Sequence, residues 1–187
     1  IGPEILKGVA DSYRRLRNTM RFMLGSLSDY DVSDETVSNE MPELERWVLH
    51  RLCELDEKVQ QGYDSYDFQG VFQAIFTFAT VDLSSFYFDI RKDVLYCDGD
   101  TIERRSARTV LNLLFHRLTT WLAPILVFTM EEVWLERYPD KDSSVHLVDI
   151  PNTPSEWRDD KLAKKWSIVR NYSCLLYTSP SPRDVHL

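Results

Sequence analysis

Apolar residues recur at alternating three- and four-residue steps along the first 27 residues of the chain. These steps place the residues on one face of a helix, so the pattern predicts a helix from Pro3 to Leu27. Proline suits the first helical turn, where its missing N–H has no intrahelical partner to lose. The residues expected on the buried face are Leu6, Val9, Tyr13, Leu16, Met20, Met23 and Leu27.

The same spacing predicts two further helices in the middle of the chain. One runs from Pro42 to about Tyr63, and the next begins after Asp67, whose carboxylate suits an N-cap. The inward residues of this third helix are expected to be Val71, Phe72, Ile75, Phe76, Ala79, Leu83 and Phe86. The run SDYDVSDETVSNEMPELE, before and into the second helix, holds seven acidic residues and no basic one. It predicts an acidic surface linker.

Capping residues and a proline delimit the helices of the second half. A capping pair of Asp100 and Glu103 precedes a long helix that Pro124 kinks or ends. The T-x-x-E box of Thr129 and Glu132 predicts the start of a short helix in MEEVWLERY. A last amphipathic helix is predicted around LAKKWSIVR.

The predicted elements add up to an all-α fold, an antiparallel helical bundle, with a short extended segment near 144–150. We divide the chain into a helix with its acidic linker (1–40), a helical domain (41–172) and a tail (173–187). Within the tail, CLLYTSPSPRD resembles the one-frame translation of a sequencing-library adapter. We therefore expect the tail to be no domain and to carry no function.

Composition indicates a packed protein rather than a membrane-spanning or disordered one. Hydrophobic residues make up 43% and charged residues 28% of the chain. No apolar run approaches about 18 residues and no signal peptide is recognisable, so we expect a cytoplasmic location. Cys53, Cys97 and Cys174 form no C-x-x-C pair. This argues against a disulfide framework or a zinc site and favours small buried hydrophobes.

Positive charge is concentrated at the start of an acidic chain. The net charge is -8, yet residues 1–27 hold five basic residues against two acidic ones. An α-helix turns about 100° per residue, which places one set of side chains within a single arc and Arg15 outside it. This set, the basic stripe, consists of Lys7, Arg14, Arg17, Asn18 and Arg21.

Two interpretations of the basic stripe stay open at this point. It is either a solvated helix face whose arginines pair with nearby carboxylates, or a surface that binds phosphate groups. Arginine is used where lysine would supply the same charge, which suits forked phosphate recognition. Asn18 adds a neutral donor and acceptor within the same arc.

The sequence contains no set of residues that predicts catalysis. It lacks H-E-x-x-H, G-x-S-x-G and P-loop motifs, and no histidine follows a glutamate at the three-residue spacing of di-iron bundles. Glu131 and Glu132 are adjacent and so point about 100° apart on a helix; capping or a helix-dipole contact explains them better than paired acid–base work. His50 and His116 lie within predicted helices and are expected to be packed or solvated. We expect no turnover from this chain alone.

The order of several segments resembles the bacterial isoleucyl-tRNA synthetases. The resemblance covers residues 1 to about 170 and includes DSYRRLRNTMRFMLGSLSDYD, LERWVLHRL, DLSSFYFDIRKDVLY, ERRSARTVL and LAPILVFTMEEVW. Many class I synthetases share a segment like LAPILVFTMEEVW. The stretch DLSSFYFDIRKDVLY is more specific, because the valine enzyme usually has a Cys-Asp-Trp-Tyr type sequence in place of Ser84 to Tyr87.

The resemblance implies a helical anticodon-binding domain and, in residues 1–40, the helix that leads into it from a catalytic domain. It implies tRNA specific for isoleucine as partner, together with the catalytic domain of the full-length chain, and we expect a monomer without a membrane partner. Cofactors would belong to the parent enzyme: ATP and magnesium, and zinc in a C-terminal segment found in many bacterial members. The HIGH-type and KMSKS-type motifs are not present.

Carried over residue by residue, the resemblance matches Arg14, Arg15, Arg17, Asn18 and Arg21 to the family's arginine-rich first helix, which lies on the side facing the tRNA. Because they share one arc, we assign tRNA contact to Arg14, Arg17, Asn18 and Arg21, together with Lys7 of the same stripe. Arg104, Arg105 and Arg108 match a second basic stretch, which surface ion pairing near a helix start explains equally well. Two alternatives remain at this stage: the same domain of a valyl- or leucyl-tRNA synthetase, and a helical protein-interaction module without RNA binding.

Overall fold

The computed structural model describes residues 2–97 and 99–178 of the chain. Its α-helices are Pro3–Ser26 (α1), Glu43–Asp64 (α2), Phe68–Thr77 (α3), Phe88–Cys97 (α4), Ile102–Leu122 (α5), Val127–Arg137 (α6) and Asp160–Thr178 (α7). A π-helical segment, Phe78–Tyr87, joins α3 and α4 into one continuous helix. No strand occurs in this described part, and the predicted all-α fold is confirmed.

Four long helices form an up-down-up-down bundle. Gly62, near the end of α2, lies against Val71 at the start of the continuous helix Phe68–Cys97. Glu45, near the start of α2, binds Arg91 near the end of that continuous helix. These two contacts make the pair antiparallel. The Tyr63 hydroxyl donates to the Trp121 carbonyl, so α2 and α5 end at the same level. This arrangement is that of an antiparallel bundle.

The bundle core is filled by large side chains from all four long helices. Trp121, Tyr87 and Phe115 are among the largest that are fully buried. From α1, Leu16, Met20, Met23 and Leu27 are buried as predicted.

The first turns of α1 differ from the prediction. Leu6 and Val9 are 60% and 63% exposed, although their spacing places them on the apolar face. Tyr13 is the first residue of α1 seen to bond α6, through its hydroxyl 3.0 Å from that of Thr129. The preceding turns extend past the start of α6, so the apolar face there stays exposed among the residues that the structure describes.

The long middle helix also departs from its predicted inward face. Val71, Ile75, Ala79 and Leu83 are buried, but Phe72, Phe76 and Phe86 are only partly buried. The π-helical segment has more residues per turn than an α-helix, so Phe86 is rotated away from its expected position. Phe72 and Phe76 precede that segment; each follows a buried residue, Val71 or Ile75, and so lies at the edge of the buried face. Phe78, Tyr87 and Phe88 point into the core instead.

By length and composition, Phe68–Cys97 would be able to cross a membrane. Its inner face is buried in the bundle, however, and its midpoint carries Asp82, which is 4% exposed and paired with Arg51 and Arg170. We interpret this segment as the core helix of the bundle.

Two of the predicted caps shift or disappear. Asp67 caps α3 as predicted, accepting a bond from the Gly70 N–H. At α5 the cap is Thr101, whose hydroxyl accepts from the Arg104 N–H, and not Asp100. Asp100 instead pairs with Arg105 at 3.3 Å.

The predicted capping box of Thr129 and Glu132 does not form, so this prediction is wrong. Helix α6 begins at Val127, and no side chain caps it. Both side chains face α1, where Thr129 meets the Tyr13 hydroxyl and Glu132 pairs with Arg17. Contact with a neighbouring helix therefore outweighs local capping at this position.

The connecting segments hold short 3-10 turns. Val32–Asp34 and Ser38–Glu40 lie in the acidic linker, and Val145–Leu147 lies in the predicted extended segment. The residues that flank this last turn, Ser144 and Val148, have extended backbone angles. The Glu131 carboxylate accepts bonds from the Ser144 hydroxyl and the Val145 N–H, both at 3.0 Å, which curls the segment.

The cysteines separate into different environments. Cys53 is buried, with its thiol 3.5 Å from the Pro154 carbonyl oxygen, and burial raises the pKa of Cys53 to about 11. Cys97 is exposed because it ends α4, so the expectation of a buried hydrophobe is wrong there. The Cys174 side chain lies outside the described structure, as do residues 179–187 of the predicted tail.

Candidate nucleic-acid interface

The basic stripe is the outward ridge of α1. All five of its residues are exposed. Leu16, Met20 and Met23 of the same helix lie on the opposite side, within the core. The core packing of α1 therefore turns the stripe toward solvent, as helical geometry predicts.

Carboxylates partly neutralise the stripe. Arg14 pairs with Asp11 at 2.7 Å, and Arg17 pairs with Glu132 of α6 at 3.3 Å. All four side chains are about half exposed or more, and ion pairs at such positions contribute at most about 1 kcal/mol. Lys7 and Arg21 have no ion pair within the described residues. The stripe is thus able to exchange its carboxylates for another anion.

A groove runs beside the stripe, between α1 and the face of α6. Its volume is about 770 Å³. The polar residues that line it are Arg17, Asn18, Arg21, Ser28, Tyr30, Glu132, Glu136, Arg137 and Tyr138. Lys7 and Arg14 lie outside the groove, further toward the start of α1. The structure therefore brings three of the five stripe residues together around one cavity.

Arg137 is a basic lining residue that the sequence analysis did not single out. Its guanidinium donates to the Leu27 carbonyl at 3.1 Å, to the Asn112 side-chain oxygen at 2.8 Å and to the Tyr138 hydroxyl at 3.0 Å. The Tyr30 and Phe115 rings lie within 5.9 Å of its central carbon. No carboxylate pairs with it among residues 2–97 and 99–178. In the sequence it resembles an ordinary last-turn arginine that complements a helix dipole.

Arg137 belongs to a hydrogen-bond chain that reaches His116. The Tyr138 hydroxyl, which accepts from Arg137, lies 2.8 Å from His116 Nε2. Burial, assisted by Arg137 and Arg117, lowers the pKa of His116 to about 4. His116 is therefore a neutral, packed residue near pH 7. His50 is also packed, with Nδ1 accepting a bond from the Asp159 N–H at 2.9 Å.

The second basic stretch forms ion pairs. Arg108 binds Asp29 at 2.7 Å and is only 6% exposed, while Arg104 lies 3.9 Å from the same carboxylate. Arg105 pairs with Asp100. These contacts tie the acidic linker and the turn before α5 to the helix itself, as expected from salt bridging near a helix start.

Glu131 and Glu132 do not act as a pair. Glu131 holds the segment at Ser144, and Glu132 faces Arg17 of α1. Within 2–97 and 99–178, no group of three or more His, Cys, Asp or Glu side chains is placed to hold a metal ion.

The chain is thus an antiparallel helical bundle that exposes an arginine ridge beside a groove. The chain belongs to the anticodon-binding domain family of tRNA ligases, whose family model matches residues 45–173. This finding confirms the class to which the segment order pointed.

Individual relatives sharpen the comparison. The chain is 77% identical to an isoleucine–tRNA ligase of Ruegeria pomeroyi over 160 residues, 85% of this chain and 16% of that protein. It is 52% identical to the isoleucine–tRNA ligase of Brucella abortus and 51% identical to that of Agrobacterium fabrum, each over 171 residues. These stretches cover 91% of this chain. The chain spans about a sixth of the length of these curated relatives.

Proposed function

We propose that this chain binds the anticodon stem and loop of an isoleucine-accepting tRNA as part of an isoleucine–tRNA ligase. The observation that carries the proposal is the exposed basic stripe of α1 in a chain of the anticodon-binding family. The names of the relatives favour isoleucine over valine or leucine. RNA binding, the function expected of an anticodon-binding family, explains the exposed arginines of the stripe better than a role as a protein-interaction module without RNA affinity.

The mechanism is binding rather than bond making. Arginine forks and the Asn18 amide would hold backbone phosphates, which positions the RNA without reading its sequence. Identity would come from unstacked anticodon bases that meet polar and aromatic side chains. The chain would thereby hold one end of the tRNA while other parts of the parent protein perform the chemistry.

The parent enzyme would use ATP and magnesium to charge tRNA with isoleucine, and a zinc ion would belong to its C-terminal part. We assign none of these cofactors to the present chain. The proposal includes a cytoplasmic location, a monomeric state without membrane contact, and the catalytic domain of the same polypeptide as partner.

The test is RNA binding by the 187-residue chain at two or more salt concentrations. The probe is a synthetic anticodon stem-loop hairpin of an isoleucine-accepting tRNA. We expect log Kd to rise with log salt, and Arg17→Ala and Arg21→Ala each to reduce that slope by about one. Arg15→Ala is the matched control, because Arg15 is an exposed arginine of the same helix outside the arc.

Three results would reject the assignment. Binding without salt dependence would exclude phosphate contacts, and equal effects of Arg15→Ala and Arg17→Ala would exclude the arc as the site. Equal affinity for a double-stranded DNA of the same length would exclude specific anticodon binding.

A further inference from the structure

We propose that the groove between α1 and α6 is a phosphate subsite, in which Arg137 joins Arg17 and Arg21 in binding one backbone phosphate of the RNA. The inference rests on the proposed function and extends it to a residue of a different helix. It places a phosphate inside the groove, whereas the stripe alone would hold RNA along the outer ridge of α1.

The contacts of Arg137 fix its guanidinium before any ligand arrives. Neutral acceptors take one N–H from each of its three nitrogens: the Tyr138 hydroxyl, the Leu27 carbonyl and the Asn112 amide oxygen. A second N–H remains on each terminal nitrogen. A positioned arginine with spare donors and no carboxylate partner in the described residues suits bidentate binding of a phosphate. Little side-chain entropy would be lost on binding, since the guanidinium is already held.

The groove also supplies exposed partners for the same anion. Arg21 is exposed and has no ion pair within 2–97 and 99–178. Among the described residues, Arg17 is held by its exposed pair with Glu132, which a phosphate would displace. Asn18 contributes an amide between them. Together these donors surround a cavity large enough for a phosphodiester and its neighbouring sugar.

Two carboxylates, Glu132 and Glu136, line the groove and oppose an anion there. They make the inference testable without disturbing the core, because both are exposed. Removing the charge of Glu136 should strengthen phosphate binding if the RNA backbone enters the groove. The same substitution should have little effect if the RNA stays on the outer ridge.

The experiment measures Kd for the anticodon stem-loop hairpin with Glu136→Gln, Glu156→Gln, Arg137→Gln and Arg137→Lys in the full 187-residue chain. Glu156→Gln is the matched control, since it makes the same charge change in a different groove. We expect Glu136→Gln to tighten binding at least threefold more than Glu156→Gln. We expect Arg137→Gln to weaken binding about tenfold and to lower the salt slope by about one, with Arg137→Lys recovering the slope but only part of the affinity.

The outcomes separate the two proposals. If the unsubstituted chain binds with a stripe-dependent salt slope but Glu136→Gln and Glu156→Gln behave alike, the groove inference is overturned and the proposed function stands. If the unsubstituted chain does not bind the hairpin, both fail. Circular dichroism identifies an Arg137 variant that fails to fold, and the glutamate pair then decides the inference by itself.

Discussion

Glu45 is the most deeply buried charged residue in the described part of the chain. Glu45, in the first turn of α2, is 0% exposed and accepts two bonds from Arg91, both 2.7 Å long. The Tyr87 hydroxyl donates a third at 3.1 Å. Burial and the neighbouring Glu45 raise the pKa of Tyr87 well above its ordinary value, so the phenol keeps the proton that it donates.

Arg91→Ala should destabilise the fold by about 3 to 5 kcal/mol, because it leaves the Glu45 carboxylate buried without a counter-ion. Arg91→Lys should recover only part of this loss, since one ammonium cannot reproduce the two-pronged contact. Urea unfolding measures both. Lys165→Ala is the control: its pair with Glu43 is exposed, and its loss should change stability by less than about 1 kcal/mol. Equal effects at the two positions would contradict the buried-charge account.

At the scale of the helix, α2 approaches α3 closely at Gly62. A side-chain carbon built on Gly62 would lie 2.4 Å from a methyl group of Val71. Val71 is buried and β-branched, so its side chain has little freedom to turn away. Glycine is therefore required at this point by packing, even though it weakens a helix interior.

Gly62→Ala should destabilise the fold by about 1 to 3 kcal/mol through overpacking, against the intrinsic preference of alanine for a helix. Gly25→Ala in α1 is the matched control. Apart from its chain neighbours and its own helix backbone, no atom of the described residues lies within 4 Å of its added carbon, and the change should stabilise by about 0.5 to 1 kcal/mol. Chemical unfolding of the two variants gives the comparison. Stabilisation by both substitutions would show that α2 and α3 are not in such close contact.

The helices could be predicted from the sequence because the patterns that indicate them involve residues close together in the chain. Periodicity and a proline predicted α1 and α2 to within about a residue, and Asp67 gave the start of α3. Predictions of side-chain position failed where that position depends on residues distant in the chain or on helix geometry. The Thr129 hydroxyl faces Tyr13 instead of capping its own helix, and the π-helical turn rotates Phe86 partly out of the core. The position of Arg137 depends on Leu27, 110 residues earlier, and no local pattern records that approach.

At the scale of the whole molecule, charge is divided between one helix and the rest. Residues 1–27 carry three more basic than acidic residues, and the chain as a whole has a net charge of -8. The acidic surplus therefore lies outside α1, where it repels a polyanion. This division would orient an incoming RNA toward the ridge and groove of α1, and its influence falls as salt shortens the range of charge interactions. The acidic composition alone counts against binding a polyanion, whereas the placement of charge leaves one positive surface on α1.

The whole fold should become less stable at acidic pH, because the His116 side chain binds a proton more readily in the unfolded chain than in the bundle. The pKa of His116 is about 4 in the bundle against an ordinary value of 6.5. The unfolded chain thus binds the extra proton between these values, and stability is lost as the pH falls from about 6.5 to about 4. Protonation would also remove the acceptor that His116 offers to the Tyr138 hydroxyl.

We expect this loss to be on the order of 2 kcal/mol, less than the full shift implies, because His116 keeps part of its hydration. Urea unfolding at pH 7 and pH 4.5 measures it. His116→Gln retains an acceptor for Tyr138 but cannot take up a proton, so its stability should depend less on pH by this amount. Carboxylates titrate equally in both proteins and cancel in the difference. Parallel losses in the two proteins would mean that His116 is protonated as readily in the bundle as in the unfolded chain, and that the Arg137–Tyr138–His116 chain does not hold it neutral.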